Sequence, residues 1–240
     1  MPTAVSPLPR ILLVDDNADN LMLMQLYLGD APYHVEAASN GREAVDKFAA
    51  APYDLVFMDL EMPILDGYEA SRAIRDMERR GGRPAVPILV LTAHALDEFR
   101  QRCDEAGCTD FLTKPVRKNA VLEAVARYLG DGGGQVRPAA AAPAREAELE
   151  LLRPLLPIFF ATAAATLDSA RQALDADDLE AVRRQGHKLK GSALSYGFEP
   201  LGQAALELER AGEDRDVGKA AAALDRALDL LAEARRAFAD

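Results

Sequence analysis

The sequence predicts two domains of different class: an α/β doubly wound domain with a five-stranded parallel sheet, then an all-α domain of the four-helix-bundle type. Three observations support this prediction. Short aliphatic runs alternate with helical patterns through the first 130 residues, a segment rich in glycine, proline and alanine follows, and no strand-like run occurs after residue 146. A chain of 240 residues is long enough for two domains that each bury a core.

The strands of the first domain are predicted from short apolar runs. The run at 11–14 is aliphatic throughout, as expected for a strand buried on both faces of a sheet. The five runs lie at 11–14, 35–38, 54–58, 87–91 and 111–112, and the helical patterns lie near 18–29, 40–50, 66–80, 95–106 and 116–129. Ser39 is expected to cap the second helix and Gly107 to end the fourth. This alternation favours parallel strands with right-handed crossovers.

The domain boundaries are predicted from changes in composition. We expect the α/β domain within residues 1–130, a linker at 131–145 with three glycines and two prolines, and a helical domain at 146–240. The helices of this second domain are predicted near 146–175, 178–197, 200–211 and 216–239. Helices joined by short loops are typical of an antiparallel bundle.

Composition excludes several classes of function. The net charge of −11 argues against a nucleic-acid binder, which usually presents a basic face. Two cysteines, Cys103 and Cys108, are too few for a disulfide framework and have no metal-site pattern around them. The most membrane-like window, residues 151–167, is interrupted by an arginine and two prolines. We therefore predict a cytoplasmic protein without membrane insertion.

Polar side chains follow four of the predicted strands. Asp15 and Asp16 follow the first strand, Asp59 ends the third, Thr92 follows the fourth and Lys114 follows the fifth. Ligands of parallel sheets bind beyond the carboxyl ends of the strands, so these side chains are expected to meet. Clustered carboxylates suit Mg²⁺, while a lysine and a hydroxyl balance the charge of a phosphoryl group. Each residue alone is more typical of a helix cap or a solvated surface.

These motifs resemble the response-regulator receiver domain over residues 10–130. The matching strings are Leu13-Val14-Asp15-Asp16-Asn17, Met58-Asp59-Leu60-Glu61-Met62-Pro63 with Asp66-Gly67, Leu91-Thr92-Ala93, and Lys114-Pro115. The resemblance implies a flavodoxin-like fold in which Asp59 is phosphorylated. It also implies that Asp15, Asp16, Asp59 and the backbone carbonyl of Glu61 bind Mg²⁺, that Thr92 and Lys114 contact the phosphoryl oxygens, and that the Lys114–Pro115 peptide is cis. Phe111 occupies the position of the family's switch aromatic, and a place in the core of the fifth strand fits it equally.

A second candidate site lies in the helical domain around His187. Six residues with spacings of three and four form the predicted buried stripe of one helix: Leu179, Val182, Gly186, Leu189, Ala193 and Tyr196. His187 lies beside this stripe and is expected to be partly exposed. The nearby bases are Arg183, Arg184, Lys188 and Lys190. Helical position alone favours a solvated basic face with an incidental histidine.

The string His187-Lys188-Leu189-Lys190-Gly191-Ser192-Ala193 resembles the signature of histidine-containing phosphotransfer domains. This resemblance covers roughly residues 150–240 and implies a helical bundle in which Nε2 of His187 is phosphorylated. It further implies that Lys190 supports the phosphoryl site and that Gly191 leaves space for a docking receiver. Proteins of this kind carry phosphate, and the receiver supplies the catalysis.

The two sites together predict a phosphorelay protein whose partners are a sensor histidine kinase and a downstream response-regulator receiver. Two alternatives remain open. In the first alternative, the protein is a phosphate sink that draws phosphate back from an output regulator. In the second, it is a binding module switched by phosphorylation. The chain lacks a glycine-rich phosphate loop, so no ATP-dependent kinase activity is expected. The sequence leaves open the direction of phosphate flow and whether transfer between Asp59 and His187 is in cis or in trans.

Overall fold

The computed structural model describes residues 8–29, 32–92, 97–130 and 152–238. These residues form two compact units, an α/β unit within 8–130 and a helical unit within 152–238. The predicted linker at 131–145 and the predicted start of the bundle at residue 146 lie outside the described residues.

The α/β unit contains a five-stranded, fully parallel sheet in the order β2-β1-β3-β4-β5. Its strands are β1 (Arg10–Val14), β2 (His34–Ala38), β3 (Leu55–Asp59), β4 (Ile88–Thr92) and β5 (Asp110–Thr113). Its helices are α1 (Ala18–Leu28), α2 (Gly41–Ala50), α3 (Gly67–Gly81), α4 (Asp97–Ala106) and α5 (Lys118–Leu129). The prediction of a doubly wound five-stranded sheet is confirmed.

Burial explains why the apolar runs predict the central strands so well. Every residue of β3 and β4 is buried, whereas the edge strands β2 and β5 are mostly half-buried. A strand covered by helices on both faces has no solvent-facing side, so its sequence is apolar nearly throughout. In the register of β1 and β3, Val14 of β1 pairs with Met58 of β3. The next residues along, Asp15 and Asp59, therefore lie at the same edge of the sheet.

Local capping fixes the start of α2 and the end of α4. The N-cap of α2 is Asn40, whose side chain accepts a hydrogen bond from the backbone N–H of Glu43 at 2.9 Å. The prediction of Ser39 as the cap is thus wrong by one residue, because Ser39 instead donates its N–H and Oγ–H to the Glu43 carboxylate. The arrangement resembles a capping box, except that the Glu43 carboxylate accepts from the residue before the N-cap. Gly107 has a φ of +76° directly after α4 and ends that helix as predicted.

The helical unit contains four α-helices that close into a bundle, as predicted. They are α6 (Leu156–Asp175), α7 (Leu179–Ser195), α8 (Glu199–Glu213) and α9 (Val217–Ala237), preceded by a single 3₁₀ turn at Arg153–Leu155. Three-residue connections join successive helices, and the middle residue of each has a positive φ: Asp177, Gly197 and Arg215. Each helix in the described part of the chain is too short or too polar to span a membrane.

Candidate functional site

Three carboxylates meet at the edge of the sheet where β1 and β3 end. Asp15 and Asp59 are buried and Asp16 is half-buried. One oxygen from each carboxylate lies within 4.8 Å of the others, which is close enough for all three to bind a single metal ion. Like charges at this distance repel one another unless a cation compensates them. The cluster is therefore an acidic pocket suited to a hard divalent cation.

Lys114 completes the charge arrangement of this pocket. Its Nζ lies 2.8 Å from Oδ2 of Asp59 and 3.4 Å from Oδ2 of Asp15. The Lys114–Pro115 peptide is cis, and the backbone N–H of Lys114 donates to the carbonyl of Thr92 at 2.6 Å. Burial alone would lower the pKa of Lys114, but the two carboxylates outweigh burial and raise it above the usual lysine value. The lysine is thus a fixed positive charge at neutral pH.

The pKa of the Asp59 carboxylate is set by the opposite balance of forces, because burial has the larger effect. Burial raises the pKa of Asp59 most strongly, Lys114 opposes that effect, and the neighbouring Asp15 raises the pKa further, so that it reaches about 7. The backbone N–H of Leu60 donates to Oδ1 of Asp59 at 2.7 Å, which orients the carboxylate. One lysine therefore does not compensate the negative charge of the pocket.

Asn20 fixes the position of Asp15, a role that was not predicted from the sequence. Its Nδ2 donates to both oxygens of Asp15, at 3.1 and 3.0 Å, and the backbone N–H of Asn17 donates to Oδ1 at 2.8 Å. Asn20 lies on α1 one turn after the aspartate pair, and it is buried. An asparagine one helical turn beyond a pair of acids is the sequence signal that it holds one of those acids in place.

The remaining predicted residues of this unit lie on β4, on β5 or directly after β3. Thr92 is buried at the end of β4, the strand next to β3. Glu61 has an exposed side chain two residues beyond Asp59, a position that suits its expected contribution through the backbone carbonyl. Phe111 is half-buried on β5 and packs against the core, so both roles considered for it remain open.

In the helical unit, His187 lies on α7 beside the predicted stripe. All six stripe residues are buried, as predicted, and the His187 side chain retains 17% of its exposure. Lys190 and Gly191 follow on the same helix, three and four residues further on, and Gly191 is half-buried. The expectation of a partly exposed histidine beside the bundle core is met.

Glu209, an acid on the neighbouring helix α8, is a site residue that was not predicted from the sequence. Its Oε1 lies 2.7 Å from Nδ1 of His187, and its Oε2 accepts a 2.5 Å hydrogen bond from Nζ of Lys190. Burial raises the pKa of Glu209, but the hydrogen bonds from His187 and Lys190 outweigh it and bring the pKa to about 2. One ionised carboxylate thus bridges the histidine and the lysine.

A signal for Glu209 exists in the sequence of α8. Gly202, Ala205, Glu209 and Gly212 follow one another at spacings of three, four and three, so a single acid interrupts a stripe of small residues. Small residues mark a face where helices pack closely, and a carboxylate within such a face needs a polar partner on the helix opposite. The pattern alone does not identify that partner, which is 22 residues away in sequence.

The basic stretch around His187 is less positive in the fold than in the sequence. Arg183 and Arg184 pair with Glu180, at 3.0 and 3.7 Å, and Lys190 pairs with Glu209 at 2.5 Å. Two acids, Glu180 and Glu209, thus offset part of the positive charge of this stretch. The contacts of Glu209 with the imidazole and with Lys190 are therefore a more specific feature of the site than its positive charge.

Comparisons with known proteins match both units. A family model for the response regulator receiver domain matches residues 11–126, and a model for the Hpt domain matches residues 154–237. Sensor histidine kinase GacS of Pseudomonas protegens is 35% identical over 257 residues, covering 97% of this chain and 28% of the kinase. Histidine-protein kinase BarA of Escherichia coli K12 is 32% identical over 123 residues, covering 51% of this chain and 13% of that protein.

Solved structures resemble about half of the chain. A co-crystal structure of the Saccharomyces cerevisiae histidine phosphotransfer signaling protein Ypd1 with the receiver domain of Ssk1 aligns at 33% identity and a TM-score of 0.49. This match covers 52% of this chain and 90% of that chain. The chain spans about a quarter of the length of its GacS relatives. With family models matching at 11–126 and 154–237, this chain belongs to the two-component signalling proteins and combines a response regulator receiver domain with an Hpt domain.

Proposed function

We propose that this chain is a phosphorelay protein in which Asp59 and His187 each carry a phosphoryl group. The observation that carries the proposal is that each acceptor has a matched set of supporting side chains. Lys114 lies 2.8 Å from the Asp59 carboxylate, and Glu209 holds Nδ1 of His187 at 2.7 Å. The phosphoryl donor to Asp59 would be the histidine of a sensor kinase or of a phosphotransfer protein, and the partner of His187 would be a receiver aspartate.

The chemistry at Asp59 is the transfer of a phosphoryl group from an imidazole nitrogen to a carboxylate oxygen. The N–P bond of the donor breaks as the O–P bond to Asp59 forms, and the donor nitrogen regains its lone pair. Asp15, Asp16, Asp59 and the backbone carbonyl of Glu61 would hold Mg²⁺, which neutralises charge on the phosphoryl oxygens when it is bound.

Two further side chains would act directly on the phosphoryl group at this site. Nζ of Lys114 would move from the free carboxylate to a phosphoryl oxygen, and the hydroxyl of Thr92 would donate to another. Both lie at strand ends beside Asp59 and are held by the sheet, so little reorganisation accompanies the transfer.

The chemistry at His187 depends on which ring nitrogen carries the proton. The Glu209 carboxylate is ionised at neutral pH, since its pKa is about 2, and it therefore accepts a hydrogen bond from Nδ1–H. With the proton on Nδ1, the ring lone pair lies on Nε2, which would be the nitrogen that attacks phosphorus. Glu209 would thus present Nε2 as the acceptor, while Lys190 and Gly191 would support the phosphoryl group and the docking of the receiver.

A labelled phosphotransfer series tests the relay. The full chain is treated with a radiolabelled acyl phosphate and Mg²⁺, and base-labile label on Asp59 is separated from acid-labile label on His187. We expect Asp59→Asn to lose both labels and His187→Gln to lose only the acid-labile one, while His34→Gln, an exposed histidine, behaves as the parent.

Mixtures of the two single mutants determine whether transfer is in cis or in trans, and adding a candidate regulator determines the direction of flow. Rapid loss of label from the Asp59 phosphate would favour the sink over the relay. If Asp59→Asn still labels His187 as fast as the parent does, or if His187→Gln still passes phosphate onward, the relay is refuted.

A further inference from the structure

We propose that Gly186 is a positioning residue: by lacking a side chain, it allows α8 to approach α7 so closely that Glu209 reaches His187. This inference rests on the proposed role of His187, because the contact it explains decides which ring nitrogen is available. Gly186 precedes His187 directly and is buried in the interface between the two helices.

The close approach occurs at the backbone of Glu209 itself. A Cβ added to Gly186 would lie 2.5 Å from the backbone nitrogen of Glu209, 2.8 Å from its Cα and 2.9 Å from the carbonyl oxygen of Ala205. All three atoms belong to the backbone of α8, so no side-chain rotation relieves the overlap. Any side chain at residue 186 must therefore displace α8 at the residue whose carboxylate contacts the imidazole.

That displacement of α8 is large enough to break the hydrogen bond between Nδ1 of His187 and Oε1 of Glu209. Ordinary Cβ contacts begin near 3.4 Å, about 0.9 Å beyond the 2.5 Å distance to the Glu209 nitrogen. A shift of this size along the bond would lengthen the 2.7 Å contact between Nδ1 and Oε1 to about 3.6 Å, which is no longer a hydrogen bond. The absent methyl group thus accounts for the contact between carboxylate and imidazole.

Gly212 offers a matched control on the other helix. A Cβ added there would lie 2.7 Å from the backbone nitrogen of Arg183 and 2.8 Å from the carbonyl oxygen of Leu179. The overlap is similar in size and again involves backbone, but it falls one helical turn before His187. Gly212→Ala is expected to loosen the same helix pair without moving Glu209 away from the imidazole.

The test reads the tautomer of His187 in the full chain by NMR with ¹⁵N-labelled histidine. The chain has three histidines, so His34→Gln and His94→Gln variants complete the assignment. We expect Nδ1–H in the parent, loss of that preference in Gly186→Ala, and retention in Gly212→Ala. Phosphotransfer to His187 is expected to fall at least ten-fold in Gly186→Ala and no more than two-fold in Gly212→Ala.

Glu209→Asp changes the same distance, between Nδ1 of His187 and the carboxylate, without disturbing the packing of α7 against α8. It shortens the acid by one methylene and is expected to shift the tautomer as Gly186→Ala does, so the test survives if Gly186→Ala fails to fold. The proposal is overturned if Gly186→Ala or Glu209→Asp keeps the Nδ1–H tautomer, or if Gly212→Ala shifts it equally. These readouts do not require phosphate on His187, so failure of the relay is distinguishable from failure of this inference.

Discussion

Glu209→Gln is the substitution that most directly measures the bridge between α7 and α8. It keeps the size of the side chain but removes the negative charge of the carboxylate, whose two oxygens contact His187 and Lys190. The pKa of Glu209 falls from 4.5 to about 2 in the folded protein, a difference that corresponds to about 3 kcal/mol. Because the carboxylate is partly exposed, we expect solvent screening to reduce the measured contribution to about 2 kcal/mol.

The pH dependence of this contribution follows from the sign of the shift. A carboxyl whose pKa is depressed on folding stabilises the protein above its unfolded pKa, and it loses that stabilisation as the pH falls towards its folded pKa. The difference in free energy of unfolding between the parent and Glu209→Gln should therefore be constant from pH 7 to about pH 5. Below about pH 4.5 it should shrink by up to about 1.4 kcal/mol per pH unit.

Hydrogen exchange by mass spectrometry, in a urea series at several pH values, is the appropriate assay because it follows α7 and α8 separately from the receiver. The control is Glu207→Gln on the same helix, whose carboxylate pairs with Arg226 at 3.2 Å and is more exposed. A constant difference between parent and Glu209→Gln down to pH 3.5 would refute the bridge as a charged interaction. So would an equal effect in Glu207→Gln.

Three further predictions concern the receiver. Mg²⁺ at 100 times its dissociation constant should stabilise the receiver by about 2.7 kcal/mol, measured as a rise in melting temperature that is lost in Asp15→Asn. Asn20→Ala should weaken Mg²⁺ binding about ten-fold by calorimetry, because Asp15 loses the amide that orients it, and an unchanged affinity would contradict this role. Gly67→Ala should destabilise the receiver by more than about 2 kcal/mol in chemical denaturation, since its Cβ would lie 2.1 Å from the Asp59 carbonyl oxygen. Gly81→Ala at the other end of α3 meets only the Arg83 side chain and should be nearly neutral.

The receiver's secondary structure was predictable because its information is local. Each of β1, β3 and β4 contains an unbroken apolar run, and the polar residues that end or follow these runs lie at the edge where parallel strands end. The choice between Ser39 and Asn40 as cap was not predictable, since both residues are good caps. It depends on how the Glu43 carboxylate turns back to the chain.

The arrangement around His187 was only half predictable, for a physical reason. Helical spacing correctly placed the histidine beside a buried stripe, because position on one helix is a local property. The partner of its Nδ1 depends on how two helices cross, and that crossing is set by backbone contacts at Gly186 and Gly212. The pattern of buried residues on α7 includes Gly186 as one more buried position. It does not show that the backbone of Glu209 packs against this glycine.

Asp59 and His187, the two proposed acceptors, differ in how the charges around them are balanced. Asp59 shares its pocket with Asp15 and Asp16 against the single charge of Lys114, so the pocket is short of positive charge until a divalent cation binds. At His187 the carboxylate of Glu209 contacts both Nδ1 of the imidazole and Nζ of Lys190. A cation bound in the Asp59 pocket can withdraw electron density from phosphorus. The imidazole of His187 can offer only a lone pair. Under the proposed relay, catalysis of transfer would therefore belong to a receiver in either direction of flow, and His187 would serve as the nucleophile.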